Sequence, residues 1–97
     1  MNYFVVIEAV AILDIQEAID YYDEQQPGLG KKFESVLNEY LNTLAKNPYY
    51  QIRYDNTHCL PFKKYPYTIH FTVDENQKTV VVRAVFSTWR DPKIWKR

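Results

Sequence analysis

The helical period that begins near Val10 is cut at Gln25-Gln26-Pro27-Gly28-Leu29-Gly30 and starts afresh at Phe33. Pro27 brings no amide donor, and the two glycines permit the backbone angles of a tight connection. Two helices joined by so short a link lie antiparallel, as a hairpin. In the first, Ile12, Ile15, Ile19 and Tyr22 recur at i, i+3, i+7 and i+10, with Asp14, Glu17 and Asp20 on other faces. In the second, Phe33, Val36, Leu37, Tyr40, Leu41 and Leu44 form a wide apolar face opposite Glu34, Ser35, Asn38 and Glu39. Asn47-Pro48 ends that helix, because the residue before a proline is pushed out of the helical region.

The remaining segments are β in character. Residues 2–7, Asn-Tyr-Phe-Val-Val-Ile, read as a short strand ending at Glu8. Tyr67, Ile69, Phe71 and Val73 alternate with Thr68, His70 and Thr72, the pattern of a strand with one wet face. Asp74-Glu75-Asn76-Gln77 is turn chemistry, and Thr79 to Phe86 is apolar enough for a central strand. Thr57 to Lys64 supplies another strand, which Pro61 suggests lies at an edge. Residues 49–56 fit no single pattern. The order β-α-α-β-β-β predicts an α+β fold, a helical hairpin packed on one face of a small, mainly antiparallel sheet.

At 97 residues the chain, 1–97, is expected to be one domain. Two glycines and five prolines exclude a collagen-like or low-complexity chain. Cys59 is the single cysteine, so no internal disulfide and no cysteine-built metal site can form. It is expected to be a buried or half-buried strand residue. The first residues lack the basic-then-apolar pattern of a signal peptide, and no apolar run approaches the roughly 20 residues of a membrane span. A cytoplasmic protein without membrane contact is expected.

Net charge is zero but unevenly spread: −6 over residues 1–30, +1 over 31–50 and +5 over 51–97. Read from composition alone, these are two solvated faces of opposite sign. No phosphate-binding loop is present, because Pro27-Gly28-Leu29-Gly30 joins helix to helix rather than strand to helix. His58 and His70 lack metal-ligand spacing and read as surface or half-buried structural residues. Ser87 with His70 is a weak hint of a nucleophile and base. The cations Arg53, Lys63, Lys64, Arg83, Arg90, Lys93, Lys96 and Arg97 fall on the sheet half and the tail. A metal-free RNA-cleaving site needs such groups, to stabilise a pentavalent phosphate and to move protons at the 2′-hydroxyl and the leaving oxygen. The plainer reading makes them the polar outer face of a sheet. Trp89 and Trp95 either anchor the tail or project from it as contact residues.

Several runs together resemble one family. Ala18-Ile19-Asp20-Tyr21-Tyr22, Gln26-Pro27-Gly28-Leu29-Gly30, Phe33, Leu44 and Asn47-Pro48 resemble the helical hairpin of RelE/ParE-type toxins. Phe62-Lys63-Lys64-Tyr65-Pro66-Tyr67-Thr68-Ile69 is similar to that family's basic residues before a Phe-Pro-Tyr strand start. Val85-Phe86-Ser87-Thr88-Trp89-Arg90-Asp91-Pro92 and Trp95 are similar to its closing Arg-Asp-Pro and Trp.

The resemblance implies the toxin of a bacterial type II toxin–antitoxin module, of the kind linked to plasmid stabilisation, neutralised by a small antitoxin that wraps it. Two activities divide the family: RelE-like members cleave mRNA in the ribosome, and ParE-like members inhibit DNA gyrase. The chain departs from the nuclease pattern. Cys59 and Pro61 stand where nuclease relatives carry lysines, Thr68 where they carry arginine, and Ser87 where many carry histidine. The resemblance therefore implies gyrase inhibition by protein contact, with no enzymatic activity, cofactor or metal. Arg83, Ser87, Trp89, Arg90 and Trp95 are the candidate contacts with target or antitoxin. The alternatives are a metal-independent endoribonuclease using Lys63, Lys64, Arg83 and Arg90, or a degenerate domain that only binds its antitoxin. An acidic and apolar antitoxin segment is expected on the basic sheet-and-tail half and in the groove beside the helices, not on the acidic helix face.

Overall fold

The computed structural model describes residues 2–88. The elements run β1 (Phe4–Ile7), α1 (Ala9–Gln25), α2 (Leu29–Lys46), β2 (Ile52–Tyr54), β3 (Thr57–Pro61), β4 (Tyr67–Asp74) and β5 (Thr79–Ser87). They build one sheet in the order β1-β5-β4-β3-β2. β1 joins β5 in parallel, and every other pairing is antiparallel. The α+β hairpin-on-sheet arrangement is as the sequence predicts. The ambiguous segment 49–56 contributes β2, and this strand takes the edge in place of β3. Pro61 is tolerated inside the sheet because it is the last residue of β3, opposite Thr68.

The hairpin turns where Gly28 adopts a left-handed φ of 91° as the N-cap of α2. Close to it, the Gly30 amide donates to the Asp23 carboxylate at 2.9 Å, so α1 satisfies one of the orphan amides at the start of α2. A side chain on Gly30 would bring its Cβ within 2.4 Å of the Ile19 carbonyl oxygen.

α2 buries Phe33, Leu37 and Leu44 on the stripe its sequence shows. α1 differs. Its buried residues are Ala11 and Ala18, with Ile15, Ile19 and Tyr22 half-buried beside them, while Ile12 is exposed. Small alanines let the helix axis approach the sheet, so larger neighbours ride at the margins of the contact. The core joins these faces to Leu60, Phe62, Ile69, Phe71, Val80, Val82 and Val85. At its hairpin end it is aromatic: Phe33 stacks on both Tyr22 (5.4 Å) and Phe62 (5.5 Å). Burial, with repulsion from Tyr67, Tyr21 and Tyr65, pushes the Tyr22 hydroxyl up to about 12.

Past the end of β1 the margin of β5 has no strand beside it among the described residues, and α1 lies there. The Asp14 carboxylate accepts the Val85 amide at 3.0 Å. At the opposite end, the Tyr3 and Tyr49 hydroxyls converge on the Glu75 carboxylate, which Lys78 also meets at 3.1 Å. This cluster ties the β4–β5 turn to the first strand and to the segment after α2.

Candidate functional site

Strand alternation directs Ile69, Phe71 and Val73 of β4 toward the helices, and Thr68, His70 and Thr72 to the other face. That outer face is not uniformly wet, as alternation alone suggested. Thr68 and His70 are buried there, and Cys59 and Phe86 are buried with them. The Tyr54 hydroxyl lies 2.9 Å from His70 Nδ1, Cys59 Sγ lies 3.6 Å from the same nitrogen, and Phe86 meets the ring edge-on at 5.1 Å. His70 is thus a fully buried residue, not a surface or half-buried one. Cys59 is buried as expected; burial pushes its thiol pKa up, and nearby Arg53 opposes the shift only in part. Such a thiol is a poor nucleophile.

Arg83 owes its position to a β-bulge. His70 pairs with Ala84 and Phe71 with Val82, so Arg83 is the extra residue on β5. Its Nε donates to Thr72 Oγ1 at 3.1 Å and its Nη1 donates to Glu8 Oε1 at 3.2 Å. Glu8 is the residue between β1 and α1. The guanidinium is half exposed and already neutralised by a carboxylate at contact distance.

The other candidates lie elsewhere. Lys63 and Lys64 are exposed in the turn between β3 and β4, where the Lys63 amide donates to the Tyr40 hydroxyl at 3.0 Å. That turn is at the Ser87 end of β5, four residues or about 13 Å along the strand from Arg83. Ser87 stands opposite Tyr67 and His70 opposite Ala84, so the serine and histidine are three ladder positions apart. Trp89, Arg90 and Trp95 lie outside the described residues. Arg83 and the lysine pair therefore do not converge on a single point. The sequence reading missed Glu8, Thr72 and Tyr54 as neighbours of the outer face. Alternation already placed Thr72 beside His70; Tyr54 had no comparable signal, because its segment showed no period.

Among the described residues no His/Cys/Asp/Glu group has the arrangement of a metal site, and no helix is long and apolar enough to cross a membrane. The outer face, among the described residues, offers Arg83 from a bulge, Arg53 near Cys59, a hydroxyl-bearing rim and a buried centre.

A family model described as the ParE toxin of the type II toxin–antitoxin system parDE matches residues 5–92. No curated protein sequence matches the chain. Among solved structures, the fold is similar to the chromosomal ParDE system of P. aeruginosa, with TM-score 0.77 and 14% identity over 88% of this chain and 95% of that one. It is also similar to the intact E. coli RelBE toxin–antitoxin complex, with TM-score 0.70 and 16% identity over 91% and 99%. The RelBE2 complex of Mycobacterium tuberculosis follows, with TM-score 0.67 and 17% identity over 90% and 92%. At these identities the likeness is one of fold.

Proposed function

The chain belongs to the ParE toxin family of type II toxin–antitoxin systems, and from that membership we propose that it inhibits DNA gyrase by protein contact and is neutralised by a cognate antitoxin. The observation that carries the target is the centre of the outer sheet face. Cys59, Thr68, His70 and Phe86 are buried there, and the cation beside them, Arg83, is held by Glu8 and Thr72. Cleavage of RNA without a metal requires unengaged cations around the scissile phosphate. A chain of zero net charge is also poorly matched to a ribosomal ligand, whose affinity depends on many basic contacts.

In this reading Arg83 and Ser87, with Trp89, Arg90 and Trp95 of the tail, bind rather than catalyse. The action is cytoplasmic, where gyrase and its DNA are found. The partner structures of similar fold are toxin–antitoxin complexes, which supports an antitoxin as the second partner. Two assays on purified protein decide the target. Gyrase supercoiling should fall in its presence, while mRNA on translating ribosomes should stay intact. Supercoiling untouched at high micromolar toxin, or mRNA cut in the ribosome, overturns the proposal. Growth unaffected by induction, with or without the neighbouring reading frame, would instead leave a domain that only binds antitoxin.

A further inference from the structure

Four exposed lysines surround one end of the molecule. Lys31 and Lys32 are the third and fourth residues of α2, and Lys63 and Lys64 stand in the turn between β3 and β4. The core brings the two pairs together. Phe33, next to Lys32, stacks on Phe62, next to Lys63, and meets Tyr65, next to Lys64, edge-on at 5.2 Å. Lys32, Val36 and Tyr40 follow one flank of α2 at i, i+4 and i+8. Tyr40, further along that flank, accepts the Lys63 amide. β5 ends at the same pole, where the Thr88 amide donates to the Pro66 carbonyl at 2.7 Å. The sequence that follows carries Arg90, Lys93, Lys96 and Arg97 against Asp91.

Local stability does not explain these charges. The first turn of a helix favours carboxylates and disfavours cations. α2 nevertheless has no acidic residue in its first turn and opens towards two lysines. Among the described residues, the side-chain ion pairs join Lys78 to Glu75 and Arg83 to Glu8, and none of the four lysines takes part. The Asp23 carboxylate, at the same turn, accepts the Gly30 amide instead.

The make-up of the patch identifies its partner. Its cations are all lysine, a flexible point charge without the fork that arginine offers to a carboxylate. The large exposed apolar side chains, Tyr21 excepted, lie on β1, the first half of α1, Tyr49 and β2. Surfaces that proteins bury against one another are instead depleted in lysine and enriched in aromatic residues. The Leu29, Gly30 and Lys32 amides at the start of α2 are taken by the Gln26 carbonyl, Asp23 and the Gly28 carbonyl. Side-chain charge, more than a backbone cradle, is therefore what an anion meets here. Charge without an apolar centre suits a row of phosphates, which release a counterion for each cation that neutralises them. We propose that Lys31, Lys32, Lys63 and Lys64 form a contact surface for the phosphate backbone of duplex DNA, so that the chain meets gyrase together with the DNA that gyrase holds. The source of that DNA rests on the gyrase reading above; the surface rests on the lysines.

The test uses the full chain and a fluorescent DNA duplex, with binding followed by anisotropy between about 50 and 200 mM salt. Affinity should fall with salt on a double-logarithmic plot, with a slope of about −3.6 or steeper for four neutralised phosphates. Lys63→Gln with Lys64→Gln should flatten that slope by about 2 and weaken binding about tenfold or more at the lower salt, and Lys31→Gln with Lys32→Gln should do the same. Lys46→Gln, at the far end of α2, should leave both unchanged. Circular dichroism of each variant, matching the parent, shows that the fold is intact. In a supercoiling assay the chain with all four lysines replaced should need about tenfold more protein for equal inhibition. DNA affinity unmoved by the four substitutions, or tighter binding to an RNA duplex or an acidic peptide than to DNA, overturns this inference alone. DNA binding that needs the lysines, with supercoiling untouched by the parent chain, upholds the surface and overturns the gyrase reading.

Discussion

The crossing of the two helices makes a sharp quantitative prediction at Gly30. In an open helix, replacing glycine by alanine stabilises by up to about 1 kcal/mol. Here the new Cβ would sit 2.4 Å from the Ile19 carbonyl oxygen and 2.8 Å from both Asp23 Cγ and Ile19 Cγ2. The first of these is backbone, so no rotamer change relieves it. Restoring ordinary contact requires the helices to part by about 1 Å, a displacement that packed interiors resist. Overpacking of this kind costs about 1–3 kcal/mol. The same movement stretches the 2.9 Å bond from the Gly30 amide to Asp23, and losing a hydrogen bond to a charged group costs about 1.5–3 kcal/mol. Set against the propensity gain, Gly30→Ala should lose about 2–4 kcal/mol. Urea unfolding followed by circular dichroism should show a midpoint lower by about 1 M or more, and the melting temperature should fall by about 10 °C or more. Gly28→Ala is the comparator: its φ is 91° but nothing lies within 4 Å of the added carbon, so only the backbone penalty of about 1–2 kcal/mol applies. A Gly30→Ala chain as stable as its parent, or less damaged than Gly28→Ala, would show that the close crossing does not constrain the hairpin.

Asp14→Ala should cost about 1–3 kcal/mol by leaving the Val85 amide without its carboxylate, and Asp14→Asn should cost less because it keeps an acceptor; thermal unfolding of the pair checks the order. The Glu75 cluster should make stability depend on pH at both extremes. Hydrogen bonding from Tyr49, then from Lys78, holds the Glu75 carboxyl below its ordinary value, so its contribution is present above the ordinary carboxylate range and fades as pH falls through the lowered value. The Tyr49 and Lys78 pKa values are raised, chiefly by hydrogen bonding to Glu75, so their contribution is present below the ordinary values of 10.0 and 10.5 and fades as pH climbs through the raised ones. Urea midpoints measured across pH should flatten at both ends in Glu75→Gln; unchanged curves would remove the cluster from the account. Cys59 should react with a thiol reagent about 100-fold or more slowly in the native chain than in urea, and equal rates would contradict its burial.

Much of this architecture was legible in the residue pattern. The break at Pro27-Gly28-Leu29-Gly30, the stripe from Phe33 to Leu44 and the alternation from Tyr67 to Val73 each bear on one element, and each element is present. The misreadings share a physical cause. Ile12 looked like core because apolar periodicity weighs large side chains above small ones, yet Ala11 and Ala18 face the sheet and set the distance of approach. Pro61 looked like an edge marker because proline lacks a ladder donor, a restriction that matters little at a strand's last residue. Segment 49–56 showed no period because β2 has only three residues. The site was less legible than the fold, since Arg83, Glu8 and Thr72 come from three separate stretches of chain and meet where a bulge redirects one of them.

By itself the sequence determined the class of fold, the family and the separation of an acidic helical half from a basic sheet half, because these follow from local period, turn chemistry and charge order. The tertiary structure alone decided what the outer sheet face is made of and which lysines share one end of the molecule. Burial of His70 among Tyr54, Cys59 and Phe86, and the meeting of the β3–β4 turn with the start of α2, depend on which segments become neighbours. Strand order is set by the packing of distant segments against one helical hairpin, and no stretch of sequence encodes it locally.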